Sequence, residues 1–192
     1  MISMDYHKEI ILILDFGSQY TQLIARKVRE LGVYCEIFPF NLPFPNIVSL
    51  KPKGIILSGG PRSVNESDAP VCDQGVFRLG TPILGICYGL QLTSKLFGGQ
   101  VAKSEKREYG KAHIFIKKKD KLFDGIKDGD IVWMSHQDKV LKMPTGFETI
   151  AYSDNSPHAA IKSKEASIYG VQFHPEVHHT PKGKRILRNF LF

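Results

Sequence analysis

Residues 9–15 read Glu-Ile-Ile-Leu-Ile-Leu-Asp, apolar at every interior position. A strand with one wet face alternates apolar and polar side chains; a strand without alternation is buried on both faces. Such a strand needs packed layers above and below it, which excludes a one-faced sheet. Two more short runs share this character, Gly54-Ile55-Ile56-Leu57-Ser58 and Pro82-Ile83-Leu84-Gly85-Ile86. Between these runs lie helical patterns. Ser18 is placed to cap a segment in which Tyr20, Leu23, Ile24, Val28 and Leu31 fall at helical spacing before Gly32. Residues 33–38 are predicted as a further strand, 71–79 as a helix, and 88–97 as a helix stopped by Gly98-Gly99. Alternating strand and helix with short connections predicts right-handed βαβ units on a parallel sheet.

After residue 100 the pattern changes. Residues 100–103, 112–117, 130–134, 147–152, 158–162 and 167–173 are predicted strands, joined by turns rich in Gly, Asp, Asn and Pro. Some are expected to add antiparallel hairpins to the sheet, and 182–192 to form a closing helix. The 192 residues suffice for one domain with a real core. No apolar run approaches the ~20 residues that span a bilayer, and the polar stretch 1–9 does not read as a signal peptide. Three cysteines form neither an even framework nor a metal-type spacing, which fits a reducing cytoplasm. The net charge of +7 comes partly from lysines at 117–121 and 182–185. Without interleaved aromatics these read as solvated surface rather than a nucleic-acid site.

The chemistry centres on Gly85-Ile86-Cys87-Tyr88-Gly89-Leu90-Gln91. Glycines on both sides of a reactive side chain permit a sharp strand-to-helix turn that lifts the nucleophile out of the sheet. At a helix N-terminus the dipole favours thiolate. A second motif is Gly170-Val171-Gln172-Phe173-His174-Pro175-Glu176. Side chains two apart on extended backbone project to one side, and Pro175 holds the chain extended. His174 can then face the sulfur while Glu176 orients the ring, giving nucleophile, base and orienting acid. Third, Ser58-Gly59-Gly60-Pro61 follows a predicted strand. Backbone N–H groups of Gly60 and Tyr88 are candidates for an oxyanion hole. Cys35 and Cys72 read as structural, Trp133 as packing and His136 as structural or contact-forming. His178-His179 carry no metal expectation, because adjacent residues point apart and no carboxylate cluster accompanies them.

Together these stretches resemble the class I (triad) glutamine amidotransferases, and within that family the amidotransferase domains of GMP synthetases. The resemblance extends over Ile13-Leu14-Asp15-Phe16-Gly17-Ser18-Gln19-Tyr20, Trp133-Met134-Ser135-His136-Gln137-Asp138-Lys139-Val140 and His174-Pro175-Glu176-Val177-His178-His179-Thr180. It implies a flavodoxin-like three-layer α/β sandwich, with a mostly parallel sheet and antiparallel additions. It implies that Cys87, His174 and Glu176 release ammonia from L-glutamine and that Gly60 and Tyr88 hold the oxyanion. Gly59, Gln91, Gln137 and Asp138 fall at substrate-binding positions, and Asp15, Phe16, Ser18 and Gln19 at the substrate and domain-contact side. No cofactor is implied here; ATP and Mg2+ belong to a partner ATP-pyrophosphatase (synthetase) domain or subunit that aminates adenylated XMP. No loop for such a domain occurs in the sequence. The chain thus reads as one amidotransferase domain over 1–192, and its apolar Phe190-Leu191-Phe192 favours a piece of a two-domain enzyme over a separate subunit. Amidotransferases for other acceptors (anthranilate, aminodeoxychorismate, carbamoyl phosphate), γ-glutamyl peptidases and a non-enzymatic partner-binding module are the competing readings.

Overall fold

The computed structural model describes residues 9–192, with backbone alone for 105–107. The polar N-terminal stretch, apart from Glu9, lies outside the described residues. Nine strands form one sheet in the order β2-β1-β3-β4-β9-β8-β7-β5-β6. The strands β1 (Ile11–Asp15), β2 (Cys35–Pro39), β3 (Gly54–Leu57), β4 (Ile83–Ile86) and β9 (Ile168–Val171) run parallel. The others, β5 (Gln100–Ile116), β6 (Asp130–Lys142), β7 (Phe147–Tyr152) and β8 (Ala160–Ser163), pair antiparallel.

The unbroken apolar character of β1 has a direct cause. Ile11 and Ile13 enter one core with Ile24, Val28, Ile186 and Leu187, from α1 (Thr21–Arg29) and α4 (Gly183–Leu191). Leu12 and Leu14 enter another with Ile47, Leu90 and Leu92, from α2 (Phe44–Leu50) and α3 (Tyr88–Leu96). Each apolar residue of the strand therefore has a dry partner, and the three-layer α/β class holds.

Glycine sets how closely α3 lies on the sheet. A Cβ on Gly85 would fall 2.6 Å from the Gly89 carbonyl, and one on Gly89 2.5 Å from the Leu57 carbonyl oxygen. Any side chain at either position would push the helix off the strands that aim its N-terminus.

Several predicted elements differ from the structure; the strand expected over 167–173 ends at Val171, and Pro175 and Glu176 lie in a turn instead of extended backbone. Residues 71–79 form only a 3-10 turn, Gln74–Arg78, after the Asp73 side chain accepts the Gly75 N–H at 2.8 Å. Gly75 lies in its interior and presses on the Phe44 ring, where a side chain would clash at 2.7 Å; this close packing is incompatible with a regular helix built of larger residues. The segments 100–103 and 112–117 are parts of one long strand, β5, and β6 runs eight residues past the predicted end at 134. Their polar middle pairs Glu108 with His136 and Tyr109 with Ser135, after an irregularity beyond Lys103. The N-cap of α1 is Tyr20; Ser18 instead accepts the Tyr20 N–H at 3.0 Å, within the turn before the helix. The helix α2 was not anticipated: seven residues with one buried side chain, Ile47, carry too little periodicity to be read.

Candidate active site

Cys87 is the N-cap of α3, at φ 52° and ψ −101°. Lys51 is the only other non-glycine residue with positive φ among the described residues. Such strain costs about 1–3 kcal/mol and persists only where the surroundings impose it. Here the Cys87 N–H is tied to the Val171 carbonyl at 2.8 Å, and the glycines at 85 and 89 lock the turn from both sides. The thiol is nearly buried, 3.7 Å from the Ser135 carbonyl oxygen and 3.7 Å from Gln172 Nε2.

His174 stands across from it. Its Nδ1 is 2.7 Å from Glu176 Oε1, so the proton on Nδ1 faces the carboxylate and Nε2 is left for other chemistry. Burial works against the charged ring. The Glu176 charge and hydrogen bonds to Cys87 and Glu176 outweigh that and hold His174 well above the ordinary histidine value. Glu176 is fully buried, and its second oxygen has no hydrogen-bond partner among the described residues. The imidazolium is therefore its main compensation.

The loop carrying this pair is clamped. The His174 N–H donates to the Trp133 carbonyl at 3.0 Å, and the Thr180 hydroxyl donates to the His174 carbonyl at 2.6 Å while accepting the Trp133 N–H at 3.0 Å. The Tyr20 ring meets the imidazole edge-on at 5.1 Å. A Cβ on Gly59 would come within 3.1 Å of the His174 ring and 3.7 Å of the Cys87 Cβ, so the loop after β3 closes the same space. The buried Ser58 hydroxyl holds that loop, donating to the Gly59 carbonyl at 2.8 Å and accepting the Phe16 N–H at 2.9 Å. Gly60 lies against Tyr88, where a Cβ would be 3.3 Å from the ring. The Tyr88 N–H heads α3, where no helical carbonyl can accept it.

A cleft of about 540 Å³ joins Cys87 and His174 to Gly60, Gln91, His136, Gln137 and Asp138. Gln91 is buried and donates from Nε2 to the Asp138 carbonyl at 2.7 Å and to Gln172 Oε1 at 3.4 Å. His136 donates from Nδ1 to the same carbonyl at 2.9 Å, while its Nε2 faces Glu108 Oε2 at 3.2 Å without hydrogen-bond alignment. The Asp138 carboxylate accepts from the Ser63 hydroxyl, and Gln137 is exposed at the rim. Ser18 and Gln19 also line the cleft, while Asp15 Oδ1 braces the turn, accepting from the Gly17 N–H and the Thr21 hydroxyl. All nine sequence-derived site residues thus gather at one end of the parallel strands, where α/β sheets place their sites. A larger hollow of about 960 Å³ beside α4 contains none of them.

Sequence reasoning did not single out Tyr20, Ser58, Ser63, Ser135, Gln172 or Thr180. For Gln172 a signal existed, since 172, 174 and 176 continue the spacing of two. The exposed His179 ring covers the half-buried Trp133 at a tilt, with centroids 4.4 Å apart. Among the described residues no group of three His, Cys, Asp or Glu converges on a metal position, and no helix is long and apolar enough to cross a membrane.

A thiol on a strained strand-to-helix turn, with a carboxylate-held imidazole beside it, defines a class of thiol amide hydrolases, and the family is specific. The chain belongs to the class-I glutamine amidotransferases, whose family model matches residues 12–192. It is 59% identical over 184 residues to the glutamine-hydrolysing GMP synthase of Nitratiruptor sp., covering 94% of this chain and 36% of that protein. It is 55% identical to that of Staphylococcus carnosus, covering 99% and 37%. A solved structure from Thermoplasma acidophilum, of a protein assigned as one subunit of a GMP synthase, superposes with a TM-score of 0.86 at 33% identity, covering 95% of this chain and 92% of that one. The chain spans little more than a third of the length of its full-length relatives.

One consequence concerns the loop clamp. A Cβ on Gly183 would lie 1.8 Å from the Pro175 carbonyl oxygen, between His174 and Glu176. Gly183→Ala is expected to cost about 1–3 kcal/mol of stability, the usual range for overpacking. That lowers the melting temperature by roughly 2–10 °C, with glutamine hydrolysis falling more than tenfold as His174 is displaced. A melting curve with an activity assay reads both; unchanged activity would show that the loop tolerates the shift.

Proposed function

We propose that this chain is the glutaminase component of a GMP synthase, working through Cys87, His174 and Glu176. The observation that carries this reading is the strained thiol and the Glu176-bound imidazole facing one cleft. Cys87 Sγ attacks the side-chain amide carbon of L-glutamine; the C–S bond forms as the carbonyl electrons move onto oxygen. The N–H groups of Gly60 and Tyr88 receive that charge, each such donor contributing roughly 3–4 kcal/mol. The His174 imidazolium gives its Nε2 proton to the departing nitrogen, the C–N bond breaks, and ammonia leaves. Neutral His174 then takes a proton from water as the water oxygen attacks the thioester, releasing glutamate and the thiolate. Glu176 stays ionised throughout and holds the ring.

Gln91 spends its N–H groups on Asp138 and Gln172, so its Oε1 is the atom free for the substrate's α-ammonium. Gly59, Gln137 and the Asp138 backbone complete the pocket for the amino-acid end. Ammonia passes to an ATP-pyrophosphatase domain or subunit outside these 192 residues, which uses ATP and Mg2+ to aminate XMP in the cytoplasm. The full-length relatives named for this reaction support that assignment.

The test is covalent labelling by a glutamine-analogue electrophile, mapped to peptides. Cys87 alone is expected to react. Burial pushes the Cys35 thiol up and the Cys72 thiol up to about 12, so neither ionises at neutral pH. Labelling on Cys35 or Cys72 would sink the site assignment. Glutamine hydrolysis by the chain alone is expected to be slow and to rise with the synthetase partner, ATP and XMP; a fully active lone chain would refute the coupling.

A further inference from the structure

A backbone carbonyl has no hydrogen to give, and that fixes the polarity of a buried chain of amides leading to Cys87. The Asp138 carbonyl accepts from Gln91 Nε2 at 2.7 Å, so the Gln91 amide nitrogen must point that way. The same nitrogen faces Gln172 Oε1 at 3.4 Å, which leaves Gln172 Nε2 turned toward Cys87 Sγ at 3.7 Å. Gln91 and Gln172 are 3% and 1% exposed, so water does not compete strongly for these groups. Apart from His174, the sulfur otherwise meets the Ser135 carbonyl oxygen at 3.7 Å, a partner that suits S–H and repels S−.

We propose that Gln172 is a dedicated donor to the Cys87 sulfur, set in its donating orientation by the Asp138 carbonyl through Gln91. This rests on Cys87 being the nucleophile. A neutral donor favours thiolate over thiol without adding a second ionisable group. It acts again when the thioester is cleaved, because the departing thiolate recovers the hydrogen bond that the thioester sulfur holds only weakly. The relay also links the two ends of the substrate site: the side chain proposed to hold the α-ammonium is the one that orients the donor to the reacting sulfur.

The charged and titratable groups around the sulfur are few. His174 faces it from the loop after β9, backed by Glu176. His136, paired with Glu108, and Asp138 stand on β6. Tyr20 stands at the start of α1, Tyr109 lines the cleft from β5, and Arg62 and Glu66 lie at its rim. Gln172→Met and Gln172→Glu leave all of these in place.

The experiment is the rate of iodoacetamide alkylation of Cys87 against pH in the full chain, mapped by peptide, with melting curves as the check on folding. A hydrogen bond to a charged group is worth about tenfold or more in such an equilibrium. Gln172→Met is expected to slow alkylation at neutral pH about tenfold and to move its half-maximal pH upward. Gln172→Glu, with the same shape but a negative charge in place of the N–H donor, is expected to slow it further. Gln91→Met releases the Gln172 amide to turn over and is expected to move the profile the same way by a smaller factor. A Gln172→Met profile identical to the parent overturns the donor role. A moved Gln172→Met profile with an unmoved Gln91→Met profile overturns the relay. If the parent Cys87 itself fails to react with a glutamine-analogue electrophile, the nucleophile assignment falls first and takes this inference with it.

Discussion

Cys87→Ala is expected to abolish glutamine hydrolysis, by roughly 10⁴- to 10⁶-fold, and to leave the fold intact. The magnitude follows from the unit nature of such sites: removing the nucleophile costs about as much as removing the whole triad, and the residue is what binding and the oxyanion donors supply alone. The fold should survive because alanine removes only one sulfur atom from the buried position and leaves the Cys87 N–H bond to the Val171 carbonyl in place. The backbone gives a sharper form of the test. Cys87 sits at φ 52° and ψ −101°, a conformation that costs a side chain about 1–3 kcal/mol and glycine almost nothing. Cys87→Gly should therefore be as inactive as Cys87→Ala yet melt at a higher temperature, after allowance for glycine's looser unfolded chain. Calorimetry of the two variants beside an ammonia assay reads both effects. Hydrolysis in either variant well above that residual level would mean that another group attacks the amide.

That strain marks a boundary of what the sequence discloses. Gly85 and Gly89 around a cysteine disclose a turn. That Cys87 itself, rather than a glycine, takes the positive φ is a fact of packing: its N–H is held by the Val171 carbonyl between two glycines that have no room for a side chain. The parallel half of the fold was legible because β1, β3 and β4 are buried on both faces and so carry no polar position before Asp15 at the end of β1. The long β5 and β6 were not, because their middle segments bear Glu108, His136 and Asp138, polar groups that serve the cleft instead of a core. The pairing of His174 with Glu176 was legible from their spacing, but not for the reason expected: β9 ends at Val171 and Pro175 and Glu176 form a turn, and it is this turn that brings the carboxylate to Nδ1 at 2.7 Å. The clamp around it was not: Thr180, Trp133 and Gly183 act through carbonyl contacts that no residue pattern announces. Gln172 lay inside a recognised motif, and its role emerged only from the direction of the hydrogen bonds.

Glu176→Gln should be the most telling conservative change at the site. The side chain keeps its volume in a fully buried position but loses the charge that His174 depends on. In the parent, burial disfavours the imidazolium and Glu176 more than restores it, so the ring stays protonated above the ordinary value of 6.5. The sign follows directly. A group whose folded value is raised contributes stability that is fully present below its unfolded value and lost as pH rises through the folded one. Protonated His174 is also the acid that expels ammonia. Parent kcat/KM should accordingly hold steady as pH passes upward through 6.5 and fall only at alkaline pH. With glutamine at 176, burial dominates and the ring loses its proton below neutrality. The alkaline limb should then move to lower pH, and hydrolysis at neutral pH should drop by roughly 10²- to 10⁴-fold, the upper figure being the cost of an equivalent carboxylate-to-amide change in a serine triad. The amide also offers Nδ1 either an acceptor or a donor, so part of the population holds the wrong tautomer. A pH–rate profile of the variant identical in shape to the parent would show that Glu176 only fills space beside the ring.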